Sequence, residues 1–519
     1  MNLANQFIIP KRKKYDRLGQ YLFRIVESQD AAAMRKLAIG LIAFQLALCV
    51  LAALTRVMLH GDGAYFVYAL SVGQPWILKW QELATRATAY VSTVAPTMWI
   101  ASSLHLSPLS IASLNGFIFY LVPAIQFAIG CGLIWKSHPK FLIFPIVQYA
   151  ASSAMGFGYP SEILLSPGFL WISLFLILKR QEFSVPFFLS FVGLLFSHEL
   201  AAPSAVIVAY VALTQTRERD YESGTHWRTG IIAFFLVCAF AALAFIRMDG
   251  GGAGSNANAI YVIDPRRILN NPTLWVLIVV FAATYYAAQF QISKISGIAA
   301  ILVVTSAFLP LLLEALFPNL NFSQGRYDSA RSVIGFEMFV LALSFALVRA
   351  SGKNCGPVLP LGNATFFSYV LAAVIAAAAG SDALFLRDWT IALHGLDRVV
   401  ALAQPDASTQ FLSYAQAREI MLPNEARMND RIDFHWVLPF RSIVLADGHI
   451  PGRIVYGDAD LHSTCYLQKR ATFTQAAVPL PVIEGMQSFA CTHEVPPEPP
   501  TIGKVIKERV LGIFLHGSR

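Results

Sequence analysis

Charge is scarce in this chain. Asp, Glu, Lys and Arg make up 13% of its 519 residues and hydrophobic residues 56%, against about 25% charged residues in an ordinary soluble domain. A water-soluble fold of this length is excluded, because its surface would lack polar cover. Alternation of apolar and polar residues of the barrel kind is also missing, which argues against an outer-membrane barrel. Two familiar site signatures are absent. SHEL lacks the second His that HExxH needs one helical turn on, and GGGAGSN lacks the GK[ST] ending of a phosphate loop. The net charge of +8 is spread over loops and the cluster KRKKYDR, so the basic residues read as a topology signal and give no nucleic-acid surface. Cysteine is sparse. Cys49, Cys131 and Cys238 fall in apolar runs and Cys355 in a short loop, where a thiol behaves as a small core residue. Cys465 and Cys491 share a polar C-terminal segment, where a disulfide is expected if that segment faces an oxidising compartment.

What the chain has in abundance is apolar runs of membrane-crossing length. They cover 37–58, 109–135, 140–156, 162–178, 184–197, 200–214, 229–246, 273–290, 295–317, 331–348 and 364–383, each suited to cross hydrocarbon about 30 Å thick as a helix. The pattern predicts an α-helical polytopic membrane protein with about eleven transmembrane helices. The first run is too long for the apolar region of a cleavable leader, so it is expected to be retained.

One apolar segment is ambiguous: 89–106, AYVSTVAPTMWIASSLHL, which is interrupted by Pro96 and rich in Ser and Thr. If it does not span, the basic connections WKSHPK, KRQ, TRERDYESGTHWR, QISK and RASGK all share the side of the basic N-terminus, as the positive-inside rule requires. It is therefore expected to lie as an interfacial helix on the outer surface. Three regions follow: a cytoplasmic N-terminal segment 1–35, a transmembrane unit 36–385 with a large first outer loop 59–108, and an extracytoplasmic C-terminal domain 386–519. The runs FRSIVLADGHIPGRIVYG and VPLPVIEGMQSFACTHE alternate in a strand-like way, so this last domain is expected to be a small α+β or β-rich module. The terminal TIGKVIKERVLGIFL, after the stiff PPEPP, reads as a short helix on the membrane surface.

On this topology the outer turns collect ionisable groups. The first loop carries His60, Asp62, Lys79, Glu82 and Arg86; GFGYPSEILLS carries Tyr159 and Glu162; FSHELAAPS carries His198 and Glu199. Later outer turns add Asp264, Arg266 and Arg267, then Arg326, Tyr327, Asp328 and Arg331. Plain structural roles are open to each. Asp62 suits the N-cap of a helix beginning near Ala64, and the arginines suit lipid head groups. Glu314 and Glu337, inside apolar runs, suit pairing with arginine or the lining of a cavity. Charges at one depth along the edge of hydrocarbon point together to a shared polar cavity opening outward.

An acidic residue directly after the first span, a long outer loop with amphipathic helices, and then the second span: in this order of parts the chain resembles the GT-C superfamily of polytopic glycosyltransferases. HGDGAYFVYAL supplies Asp62 as the acidic residue, RATAYVSTVAPTMWIASSLHLSP the juxtamembrane helix, and LSIASLNGFIFYLVPAIQF the second span. GYPSEIL places Glu162 where several members carry a second acidic residue between spans three and four. Gly63 follows Asp62, where some members have an Asp-Glu pair.

The resemblance implies inverting transfer of a sugar from a polyprenyl-phosphate donor to a glycan, lipid or protein acceptor. Carboxylates that are better explained by pairing with arginine lead to the expectation of transfer without metal or cofactor, and short loops without a eukaryotic retention signal to that of a bacterial inner membrane with the C-terminal domain in the periplasm. Asp62 would be the general base for the attacking hydroxyl and Glu162 the second catalytic carboxylate. Arg326, followed by Arg331, Arg266 and Lys79, would hold the departing phosphate. Glu162, His198 and Glu199 would orient acceptor or sugar, with His60 and Arg86 beside them. Tyr159 and Tyr327, with Trp76 and Trp80, would stack on sugar faces. The alternative is a multi-pass secondary transporter or lipid-linked-sugar flippase, which would be expected to show two matching halves with interrupted helices; none is visible. An O-antigen-type polymerase, with a late outer loop, and a scaffold working through its tail are further rivals.

Overall fold

The computed structural model describes residues 29–73, 86–224, 227–248, 269, 271–289, 296–323, 326–350, 364–401, 409–432, 435–457 and 478–492. Trp76, Lys79, Trp80, Glu82, Asp264, Arg266, Arg267, Cys355, Cys465 and the terminal TIGKVIKERVLGIFL lie outside these residues.

The described chain is mostly helical, and each of the apolar runs is a helix. In order they are α1 (Gln29–Leu54), then α2 (Asp62–Ser71) and α3 (Ala87–Ala89, the π-turn Tyr90–Val94 and Ala95–Leu104) between the first two apolar runs, then α4 (Pro108–Ile134), α5 (Ile143–Gly156), α6 (Ser166–Leu178), α7 (Val185–Leu195) and α8 (Ala202–Ser223). α9 (Trp227–Met248), α10 (Pro272–Gln289), α11 (Ser296–Leu316), α12 (Arg326–Ala350) and α13 (Ala364–Ala401) follow. Three stretches, Ala31–Leu54, Pro108–Ile134 and Ser368–Ala401, are long and apolar enough to cross a membrane. Local chemistry sets the starts. Ser107 accepts from the Ser110 amide ahead of α4, and Ser184 from the Phe187 amide ahead of α7, each followed by a proline in the first turn, where a missing N–H leaves no bond unmade.

The ambiguous segment 89–106 is α3. Its π-turn lies immediately before Pro96, whose ring cannot accommodate the regular bond to the preceding turn. Hydroxyls satisfy the carbonyls that the distortion leaves: Ser92 donates to Thr88 at 2.7 Å, Thr93 to Ala89 at 2.6 Å and Thr97 to Thr93 at 2.8 Å. Thr93, Thr97 and Ala101 form a buried stripe, while Val91, Trp99 and Leu104 are exposed.

α13 is the central pillar. It packs on α11, α10, α5 and α1, and farther along on helices of the C-terminal region. The expected boundary at 385/386 falls inside this unbroken helix. Beyond it come β1 (Gln410–Ser413), α14 (Tyr414–Ile420), α15 (Pro423–Ile432), α16 (Leu438–Leu445), β2 (Arg453–Tyr456) and α17 (Leu480–Thr492). The strands form a two-stranded parallel sheet with Phe411 opposite Ile454. The strand expectation holds for RIVY at the end of the first run, which is β2, while α16 corrects it for FRSIVL at the start of that run and α17 for the second run. Every residue of α16 is buried, so its alternation carried no information about an exposed face. Pro439 and Pro481 sit in first turns, where helices accept them.

A charged network fastens this region to the helix ends. Arg431 of α15 meets Glu314 of α11 at 2.6 Å, and Arg387 of α13 meets Glu314 at 3.0 Å and Asp388 at 2.5 Å. Ser323 donates to Asp388 at 2.9 Å. Glu314 is thus paired with arginine, whereas Glu337 accepts from the Ser152 hydroxyl at 3.2 Å. Cys491 is disulfide-bonded, and Cys49, Cys131 and Cys238 are free thiols.

The two glycines that flank Asp62 serve different purposes. Gly61 has φ 56 and ψ −146, a conformation that side chains disfavour. At Gly63 a Cβ would stand 2.4 Å from the Met58 carbonyl oxygen and 2.6 Å from Pro160 Cγ. Two backbone corners touch here, so Gly63→Ala is expected to cost about 1–3 kcal/mol through overpacking. Its unfolding midpoint in detergent would fall, whereas Gly40→Ala, with nothing within 4 Å, should leave the midpoint nearly unchanged.

Candidate functional site

Two corners build the site: the chain leaving α1 toward α2, and the chain joining α5 to α6. His60 Nδ1 hydrogen-bonds the Gly158 carbonyl. Its ring meets Phe385 and Trp389 of α13 edge-on, at 5.3 and 5.4 Å. The corners are thus locked to each other and to the pillar.

Asp62, in the first turn of α2, is 8% exposed, and Arg331 on α12 is 3% exposed. Arg331 Nη2 donates to Asp62 Oδ2 at 2.7 Å, and its Nε to the Ser161 hydroxyl at 3.2 Å. The Tyr159 hydroxyl lies 3.5 Å from the same Asp62 oxygen, and the Arg331 guanidinium stands over the Tyr159 ring at 5.4 Å. A buried carboxylate needs such a counter-charge. Asp62, Tyr159, Ser161 and Arg331 form one cluster drawn from three separate parts of the chain.

The next residue along, Glu162, is 4% exposed and opens the 3-10 turn Glu162–Leu165. Arg86, at the start of α3, donates to its Oε1 at 3.1 Å. Its Oε2 is buried without a hydrogen-bond partner. Arg86 and Glu162 line a narrow cleft with Met58, Tyr90, Asn115 and Phe119 among others. The cleft measures about 10 Å³, room for roughly one water. Asn115 of α4 is fully buried; its Oδ1 accepts from Thr97 at 3.2 Å, and its Nδ2 has no partner.

His198 lies close by in sequence to Phe196, whose carbonyl accepts from the Thr88 amide of α3 at 3.1 Å. Its own Nδ1 accepts from the Leu200 amide at 3.2 Å. Of the expected site residues, His60, Asp62, Arg86, Tyr159, Glu162, His198 and Arg331 are described, and most meet around these two corners. Lys79 and Arg266 lie outside the described residues, as do the side chains of Glu199, Arg326 and Tyr327.

Sequence reasoning missed Ser161, Asn115, Trp389 and Arg441. Asn115 carried a signal, being a lone amide in the apolar run LNGFIFY. Arg441 of α16 carried none. It is 3% exposed, donates from Nε to the Leu59 carbonyl at 2.7 Å and stands over the Trp389 ring at 5.0 Å. Burial pushes its guanidinium down to about 9, with nearby Tyr414 acting in the opposite sense. The C-terminal region thus rests a cation on the corner that leads into Asp62.

Among the described residues no three His, Cys, Asp or Glu side chains group as metal ligands would. Chemically, the site offers a carboxylate fixed against a guanidinium, a second carboxylate with one open oxygen, and a small cleft lined by that second carboxylate and α3. No family model, curated protein or solved structure matches the chain.

Proposed function

We propose that the chain is an inverting membrane glycosyltransferase that moves a sugar from a polyprenyl-phosphate donor to an extracytoplasmic glycan, lipid or protein acceptor. The observation that carries this reading is the buried Asp62–Arg331 pair, set directly after a membrane-length helix and next to a second buried carboxylate. In this reading the acceptor hydroxyl attacks the anomeric carbon and Asp62 takes its proton. The bond from that carbon to the phosphate oxygen breaks, and polyprenyl phosphate departs with the bonding pair. Arg331 aims Asp62 and sets positive charge beside the reacting centre.

The same reading takes all eleven helices that coincide with the apolar runs as spans of a bacterial inner membrane. The N-terminus is then cytoplasmic and the C-terminal region periplasmic. α3 fits an interfacial position through its exposed Val91, Trp99 and Leu104, and the disulfide at Cys491 fits an oxidising compartment.

The test is transfer from a panel of radiolabelled polyprenyl-phosphate sugars in membranes, comparing the unaltered chain with Asp62→Asn at equal expression. The expected loss is about 10²–10⁴-fold. Undiminished transfer by the variant would remove Asp62 from its role, and absence of transfer from every donor would favour a transporter or flippase.

A further inference from the structure

Two residues that line the cleft beside Glu162 and α3 each carry one unmet hydrogen-bonding atom, and the two atoms are of opposite kind. Glu162 Oε2 can only accept and Asn115 Nδ2 can only donate; both are buried without partners, and both residues line the cleft. Leaving each unsatisfied costs about 1–3 kcal/mol, so an occupant is demanded. At about 10 Å³ the space takes one oxygen-sized group that donates on one side and accepts on the other. Water and a hydroxyl fit that description; carboxylates and phosphates do not, since they would meet Glu162 with like charge.

We propose that the cleft is a subsite for a single hydroxyl of the donor sugar, which donates to Glu162 and accepts from Asn115; this rests on the glycosyl-transfer reading. Its place supports a substrate group over an inert water. Glu162 is the neighbour of Ser161, which binds Arg331, and Met58 on the cleft wall is followed within one turn by Asp62. The π-turn of α3 lines the cleft as well, through Tyr90 and Thr93; π-turns recur at functional sites. Arg86, by binding the other oxygen of Glu162, fixes which oxygen faces the sugar. The consequence is selectivity for a sugar that carries a hydroxyl at one ring position.

The experiment is equilibrium binding of the purified full chain in nanodiscs. Undecaprenyl-phosphate glucose, galactose and mannose are compared with bare undecaprenyl phosphate, and then the tightest sugar with its monodeoxy forms. Loss of one particular hydroxyl should weaken binding at least about tenfold. That difference should fall below about twofold in Asn115→Leu and in Glu162→Gln. Both substitutions keep the shape. Thr97 retains its bond to the Thr93 carbonyl in the first, and Arg86 its acceptor in the second; thermal unfolding of both confirms folding. Equal affinity across the deoxy forms assigns the cleft to a structural water and overturns the subsite, as does discrimination that persists in both variants. Binding of sugars no tighter than undecaprenyl phosphate also overturns it. Discrimination without any transfer would keep the subsite and overturn the reaction instead.

Discussion

Replacing Arg331 with Met is expected to destabilise the protein by about 3–5 kcal/mol, the usual cost of stranding one member of a buried ion pair. Asp62, 8% exposed, would lose the 2.7 Å bond from the guanidinium, while the Tyr159 hydroxyl lies 3.5 Å from the same oxygen. The Ser161 hydroxyl would lose its guanidinium as well. Asp62→Asn removes the charge and should be milder. In the double variant, where neither charge remains, stability should recover toward that of Asp62→Asn alone, giving a coupling of a few kcal/mol. Chemical unfolding of the four proteins in one detergent reads this cycle. Simple additivity would show that the pair is not a unit, and with it would fall the idea that Arg331 supplies the charge which allows Asp62 to be buried.

Trp389→Ala is expected to cost about 3–5 kcal/mol, the range for deleting a fully buried large aromatic side chain. The indole nitrogen donates to the Thr55 carbonyl at 2.9 Å, its ring meets His60 on one side, and Arg441 stands over it. Removing it therefore opens a hole shared by α1, α13 and α16. Trp99→Ala is the control, since that side chain is 72% exposed. If both variants unfold alike, the corner at His60 is not held by packing against the pillar.

Helices in this chain were legible because length and apolar content are enough to specify a membrane-sized helix, whatever faces it turns to its neighbours. The C-terminal region was less so. In α16 apolar residues face inward all round, so period gave no guide to conformation. Site residues divide in the same way. Asp62, Glu162 and Arg331 stood out as charges next to apolar runs, but nothing local said that Arg331 would reach Asp62, since the contact joins residues 269 positions apart. Ser161 had no feature that separated it from other loop serines. Asn115 did, as a buried amide inside a helix long and apolar enough to cross a membrane, a position where polar groups are costly unless paired. Trp389 and Arg441 belong to contacts between distant segments, which only three-dimensional packing reveals.

The unbroken course of α13 has a mechanical consequence. Its 38 residues make a rod about 57 Å long, nearly twice the thickness of the hydrocarbon core. With no hinge along it, a change in tilt at one end becomes sideways travel at the other. Tilting by about 10° about its N-terminal end would carry the far tip through about 10 Å. Thinner bilayers increase helix tilt, so the lever is expected to shift α15 and α16 relative to the bilayer as thickness changes. Distances between spin labels on α15 and on a lipid head group, measured in thick and thin nanodiscs, would detect that movement; equal distances would mean that the neighbouring helices hold the rod upright.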